Sequence, residues 1–173
     1  ARGVKSMNLR EGDNLVSMDV LTSNLVDQLA KIENITEDLE ENSSDGPWVL
    51  IASAFVLGKR VPVAQFRLQK RAGMGLRAIK FRIKDDVLVC LKVLGEGEEL
   101  LFVTEKGVIV RTNADKISQQ SRAATGVKLQ KLDEGDHLSE VVLVPHEQID
   151  EIEKISSCLL YTSDAADDSL GVY

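Results

Sequence analysis

Short stretches of alternating or wholly apolar residues, separated by turn-forming clusters, run through most of the chain. Leu15 to Leu21, Val49 to Ala52, Lys59 to Val63, Leu76 to Phe81, Val87 to Leu94, Leu100 to Thr104, Val108 to Thr112, Val127 to Leu132 and Leu138 to Val144 all have strand character. Between them lie turns at Glu11-Gly12-Asp13, Phe55 to Gly58, Lys84-Asp85-Asp86, Glu105-Lys106-Gly107 and Asp133 to Asp136. Val49-Leu50-Ile51-Ala52 has no polar alternation and reads as a buried strand with Trp48 in the same core, whereas Pro62 gives Lys59 to Val63 an edge character because it cannot donate to a ladder. Helical spacing occurs at Leu21, Leu25, Leu29 and Ile32, with Ser23 or Asn24 as N-cap, and again at Ile149, Ile152 and Ile155 in an acidic stretch after Pro145.

The strands belong to a repeat. Arg60, Gln69, Arg71, Ala72 and Gly75 recur as Arg111, Gln120, Arg122, Ala123 and Gly126, each 51 residues on. The register continues through Gly75-Leu76-Arg77 against Gly126-Val127-Lys128 and Asp85-Asp86-Val87 against Gly135-Asp136-His137. At the N-terminus, Gly3-Val4-Lys5, Leu9 and Glu11-Gly12-Asp13 match Gly126-Val127-Lys128, Leu132 and Glu134-Gly135-Asp136. A period of this length holding several short strands predicts an all-β, propeller-like array. The expected layout is the end of a blade at 1–21, an acidic insertion at 22–47, blades at 48–99 and 100–145, and an acidic tail at 146–157. A closed ring needs more blades, so the chain is expected to be a fragment of a longer protein. Residues 158–173 match no part of the repeat, and Cys158 to Asp167 resembles translated sequencing-adapter read-through, so they are set aside as non-native.

Charge sharpens this picture. The net charge is -7, but residues 48–132 hold sixteen Lys or Arg against seven Asp or Glu. The flanks are acidic, with one Lys against seven acids at 22–47 and one against eleven at 133–173. Residues 1–20 contain no signal-like apolar run and no stretch is long enough to span a bilayer, so a soluble protein with no membrane partner is expected. Cys90 and Cys158 lack CxxC spacing and point to neither a disulfide framework nor a zinc site, which suits a reducing compartment.

No enzymatic constellation accompanies the repeat. HExxH, GxSxG and P-loop patterns are missing, His137 and His146 have no partnered nucleophile, and the pairs Asp85-Asp86 and Glu98-Glu99 read as solvated turn or connector residues. What recurs is positive charge, at Arg60 with Arg111, Arg71 with Arg122, and Lys5 with Arg77 and Lys128. An exposed Lys or Arg ordinarily serves solubility. Several at one phase of a repeat predict a belt that neutralises phosphates without reading bases. The loops QKRAGMG and QSRAATG are candidates to add backbone N–H groups facing phosphate, although Gln69 and Gln120 also suit an internal loop cap and Gly75 and Gly126 suit a turn.

The segments LGKRVPVAQFRLQKRAGMGLRAIKF and KGVIVRTNADKISQQSRAATGVKLQKLDEGD resemble the C-terminal domain of DNA gyrase A, most closely its cyanobacterial or chloroplast versions. The resemblance covers residues 1 to about 145. It implies a β-pinwheel of four-stranded blades with strands exchanged between neighbours, and a basic rim around which double-stranded DNA wraps so that ATP-driven strand passage introduces negative supercoils. Carried onto this chain, the implied DNA contacts are Lys59, Arg60, Arg67, Lys70, Arg71, Arg77, Arg111, Lys116, Arg122 and Lys128. No cofactor is implied for this part, since ATP and magnesium belong to other domains or polypeptides of the enzyme. The implied partners are gyrase B and a second copy of gyrase A, in the bacterial cytoplasm or alternatively a chloroplast. The family's box, a glutamine with paired arginines and a Gly-Gly-Lys-Gly run, is only echoed at Gln69 to Gly75, and the cleavage domain with its tyrosine nucleophile has no counterpart in Tyr161 or Tyr173. The matching domain of topoisomerase IV and a protein-interaction propeller stand as alternative readings. A regulatory role for the acidic segments, competing with phosphate for the rim, is a further expectation.

Overall fold

The computed structural model describes residues 2–27 and 46–144. The core of the acidic insertion, the acidic tail and the read-through segment lie outside these residues. Among the described residues there are seven strands: β1 (Trp48–Ser53), β2 (Leu57–Pro62), β3 (Leu88–Leu94), β4 (Glu99–Thr104), β5 (Ile109–Asn113), β6 (Val127–Lys128) and β7 (Leu138–Val144). They form one sheet in the order β3-β1-β2-β6 and another in the order β5-β4-β7. All ladders are antiparallel.

The sequence repeat is a structural repeat. β1, β2 and β3 correspond to β4, β5 and β7, and even the register irregularity recurs, at Ala52/Ser53 against β3 and at Val103/Thr104 against β7. A carboxylate latches the first hairpin turn of each unit. Asp86 accepts from Ser53 Oγ at 2.7 Å and from the Phe55 N–H at 3.2 Å, while Asp136 accepts from the Lys106 and His137 N–H groups at 3.1 and 2.9 Å. Both aspartates are buried. This corrects the solvated reading for Asp86, because a buried turn must find acceptors for N–H groups that water would otherwise serve, while Asp85 is exposed as expected. Burial alone would raise the Asp136 pKa, but hydrogen bonds from the Thr104 side chain and the two amides, with the Lys106 charge, bring it below the usual carboxylate value.

The main core lies between the sheets, where Leu50, Ala52, Val56, Cys90 and Leu94 meet Leu100, Phe102, Leu138 and Val141. A second cluster of Val49, Ile51, Val61, Val63 and Ile79 covers the opposite face of the first sheet. β1 is therefore buried at every position, as its unbroken apolar run predicts, while β4 alternates between buried and half-buried. Each wholly buried Leu, Ile or Phe on these faces contributes about 1.5–3 kcal/mol relative to exposure.

The fourth strand of the first sheet comes from the other unit. β6 pairs with β2 through Leu57↔Lys128 and Gly58↔Val127, so β2 is internal at that end and only its Pro62 end has the expected edge character. Three expected strands differ. Val127 to Leu132 shrinks to two residues, Leu76 to Phe81 forms none, and neither does Leu15 to Leu21. For the last two the reason is shared: a strand needs a partner, and the described residues include no β2 or β4 counterpart of a preceding unit, whereas Val127–Lys128 has β2 to join. Residues 15–21 instead run beside β3, where Ser17 Oγ donates to the Leu91 carbonyl and Asp19 accepts from the Val93 N–H. Residues 23–27 are helical and the first turn closes on the Thr22 carbonyl, one residue before the expected cap.

Gly126 holds the units together closely. Its φ is +93°, and a Cβ there would lie 2.8 Å from the Gly58 carbonyl oxygen. Gly75 has the same backbone sign, but a Cβ would meet only Met7 Cε at 3.4 Å. Both Gly→Ala variants strain a left-handed backbone by about 1–2 kcal/mol. Gly126→Ala is expected to be the more destabilising by a further 1–3 kcal/mol, roughly the penalty for overpacking. Urea midpoints of the two variants measure the difference, and equal midpoints would contradict a tight contact between units.

Candidate nucleic-acid interface

The candidate cations sort into two groups. Lys59, on β2, has no exposed surface. Its ammonium donates to the carbonyls of Ser121, Arg122 and Ala124 at 2.7, 2.8 and 2.7 Å. All three of its N–H donors are thereby used. Lys59 is enclosed by the next unit's loop and does not reach a rim, which corrects its expected place. Arg60 is nearly as occupied: Nε donates to the Ile117 carbonyl, the guanidinium pairs with Asp115 at 2.8 Å, and it stacks 4.8 Å above the Trp48 ring. Trp48 is buried as expected, and its Nε1 donates to Gln119 Oε1.

The QSRAATG loop is built inward as well. Gln120 Oε1 accepts from the Gly126 N–H at 3.1 Å, bearing out the internal cap, and Gln65 Oε1 accepts from the Arg122 N–H. The Ala124 N–H donates to the Ser121 carbonyl. These amides are consumed within the protein, so the expectation that this loop offers them to phosphate does not hold. In the QKRAGMG loop the Ala72 N–H is likewise taken, by the Ser6 carbonyl.

Arg67, Lys70, Arg71, Arg77, Arg111, Lys116 and Lys128 are exposed, and Arg122 is half-buried. Arg111 pairs with Glu99, unlike its repeat partner Arg60. The difference follows from the architecture, since Arg60 draws its partners from the unit after it and the described residues hold no such unit after Arg111. Lys116 follows Asp115 in the chain, and Lys128 lines a pocket together with Asp133 and Asp136.

The densest positive stretch runs from Val63 to Lys84. It holds Arg67, Lys70, Arg71, Arg77, Lys80, Arg82 and Lys84 with no Asp or Glu, and all seven cations are exposed. Lys80, Arg82 and Lys84 are additions to the expected set. Their spacing of two was the signal in the sequence; Lys80 has a basic counterpart 51 residues on in Lys131, whereas Arg82 and Lys84 have none. The segment is anchored at both ends of its loop. Met7 bridges Gly73, the Asn8 side chain donates to the Ala72 carbonyl, and the Lys80 N–H donates to the Ala124 carbonyl. Between the N-terminal segment and the loop lies a groove of about 420 Å³ lined by Val4, Ser6, Met7, Gln69, Lys70 and Arg71. Among the described residues no group of side chains could hold a metal ion, and no helix is long and apolar enough to cross a membrane.

Comparison with known proteins agrees with the fold. The family described as DNA gyrase C-terminal domain, beta-propeller, matches residues 1–22, 48–90 and 98–145. The chain is 47% identical to DNA gyrase A of the cyanobacterium Synechocystis over 165 residues, covering 90% of this chain and 19% of that protein. It is 35% identical to DNA gyrase A of Staphylococcus epidermidis over 147 residues, covering 85% of this chain and 14% of that protein. The chain thus spans about a fifth or less of these relatives. A solved DNA gyrase A C-terminal domain aligns with TM-score 0.53 at 30% identity, over 57% of this chain and 34% of that one. The C-terminal domain of DNA topoisomerase IV shares the fold, with TM-score 0.52 at 21% identity, over 66% and 38% of the respective chains.

Lys59 supplies the test of the inward group. Lys59→Met leaves three carbonyls without their donor and is expected to lower stability by about 1–3 kcal/mol at neutral pH, with faster amide exchange at Gln120 and Gly126. Burial pushes the Lys59 pKa down to about 8. The unfolded chain keeps the proton to about 10.4. Between these values the unfolded state binds more protons, so the residue's contribution to stability rises with pH and is smallest below pH 8. The urea midpoint of the wild type should therefore gain on that of Lys59→Met between pH 8 and 10.

Proposed function

The chain belongs to the DNA gyrase C-terminal domain, beta-propeller, family, and on that premise we propose that it binds and bends duplex DNA through phosphate contacts made by the segment 63–84. The observation that carries the reading is the run of seven exposed cations without an acid in a chain of net charge -7. Such a run concentrates positive potential where the rest of the molecule would repel a polyanion. Each Lys or Arg that meets a phosphate releases condensed counterion, and no base edge need be read. Arg67, Lys70, Arg71 and Arg77 carry over from the sequence-based set, and Lys80, Arg82 and Lys84 extend it. Arg111, Lys116, Arg122 and Lys128 are secondary contacts, while Lys59 and Arg60 act by holding blade and loop together.

Within the whole enzyme, the domain would wrap DNA so that an ATP-dependent cleavage core elsewhere passes strands with one handedness, in an assembly with gyrase B and a second copy of gyrase A in the cytoplasm. Gyrase is favoured over topoisomerase IV because the 47% identity is to a gyrase protein, whereas the topoisomerase IV domain shares the fold at 21%.

Binding to a mixed-sequence duplex across a salt series tests the proposal. Log affinity should fall linearly with log salt and be indifferent to sequence. Replacing Lys70, Arg71 and Arg77 together by Ala should flatten the slope by up to about 3, while Arg111→Ala changes it by less than one such contact. A folded sample with no salt-dependent duplex binding, or a slope unchanged by the triple substitution, would overturn the assignment.

A further inference from the structure

One buried polar side chain at the junction between the two units has no partner. Both amide atoms of Gln130, Nε2 and Oε1, are shielded from solvent and make no hydrogen bond among the described residues. The repeat indicates where that amide lies. Gln130 stands 51 residues after Ile79, which is buried with Val49, Ile51, Val61 and Val63, and with Phe66 and Ala78 beside it. The same step of 51 takes Val49, Ile51, Val63, Phe66 and Ala78 to Leu100, Phe102, Ala114, Ile117 and Leu129, which belong to the core between the sheets or pack against it. Gln130 thus takes the place of an isoleucine in the core that joins one unit to the next. Both sides of this junction lie among the described residues.

The junction is not equally firm along its length. Toward the Pro62 end of β2 its polar groups are satisfied: Lys59 has three carbonyls, Arg60 has Asp115 and the Ile117 carbonyl, and the Trp48 indole has Gln119. At the hairpin-turn end the ties are backbone bonds, chiefly the two-residue ladder of β6 on β2 and the Leu129 and Leu138 N–H groups on the Val56 and Ala54 carbonyls at 2.9 and 2.8 Å. These bonds surround a cavity of about 310 Å³ that separates Phe55, Leu57 and Ile83 of the first unit from Lys128, Leu132 and His137 of the second. Only an edge-to-face ring contact of Phe55 with His137, 5.1 Å between centroids, adds an aromatic contact there. An unpartnered amide is costly only while it stays buried. Water admitted at the turn end hydrates it, so Gln130 makes parting the sheets easier than an apolar residue would.

We propose that the turn end of this junction is a hinge, which opens locally about the Lys59 anchor while each sheet stays intact, with Gln130 setting how often it opens. Opening of this kind, confined to one cooperative part of a fold, needs few buried contacts and bonds that water can replace. The Lys80 N–H bond to the Ala124 carbonyl, at 3.3 Å, crosses the same junction, so movement of the hinge shifts the basic segment 63–84 relative to Arg122 and Lys128. The opening does not require nucleic acid, so the inference stands apart from the proposed function.

Amide hydrogen exchange on the full chain without DNA, repeated in low concentrations of urea, tests it. The Leu129 and Leu138 amides should exchange faster than those of the β1–β3 and β4–β7 ladders. Their urea dependence should be shallower but not zero, because opening exposes less surface than unfolding. Gln130→Ile, which restores the residue type of the first unit, should slow exchange at Leu129 and Leu138 by about tenfold or more, the expected cost of the unpartnered amide. Gln130→Met should act in the same direction, so that the fit of a β-branched side chain does not decide the result. Slower exchange in either variant supports the hinge. Junction amides that exchange in step with the ladders, exchange with no urea dependence, or both variants exchanging at least as fast as wild type would overturn it.

Discussion

A buried ammonium must find acceptors for all its protons, and Lys59 finds them only in the next unit. Its three bonds to the carbonyls of Ser121, Arg122 and Ala124 pull the QSRAATG loop over the first sheet. Once the loop is seated, the rest of the junction follows. Gly126 comes down on the Gly58 backbone, Val127–Lys128 reaches β2, and Gln119 meets the Trp48 indole. No single contact here exceeds a few kcal/mol. Together they turn two three-stranded units into parts of one array.

The junction also explains why the repeat is uneven in its roles. Each unit reaches backward with its fourth strand and loop, so a residue on β2 or β5 is completed by what comes after it. Arg60 is completed by Asp115 and the Ile117 carbonyl and leaves the solvent; Arg111 meets only Glu99 of its own sheet and stays exposed. The hairpin latch behaves differently because it is internal to each unit. Asp86 with Ser53 and Asp136 with Lys106 do the same work in both. A repeated residue therefore keeps a repeated role where its partners share its unit.

For DNA binding, this sorting separates charges that shape the surface from charges that can meet a ligand. Lys59 and Arg60 spend their hydrogen bonds on the fold. The exposed cations from Arg67 to Lys84 lie in the segment that crosses between loop and third strand, anchored by backbone bonds to Ser6 and Ala124. A scaffold that fixes the main chain while leaving long basic side chains in solvent suits contacts to phosphates, which reward position and charge over exact geometry.

How much of this was legible beforehand depended on distance along the chain. Local chemistry determined the turns, the strands Trp48–Ser53, Leu88–Leu94, Glu99–Thr104 and Leu138–Val144, and the 51-residue period, because apolar alternation and turn residues act over a few positions. Family wording in the same residues carried the blade architecture. The internal glutamine cap and the turn glycines were readable for the same reason. Tertiary structure alone decided which candidate strands form, since Leu76 to Phe81 has the pattern of a strand but no described edge to join. It also decided which cations face water. Lys59 and Lys70 are alike in sequence terms, and only the approach of a loop more than sixty residues away makes one a buried anchor and leaves the other exposed.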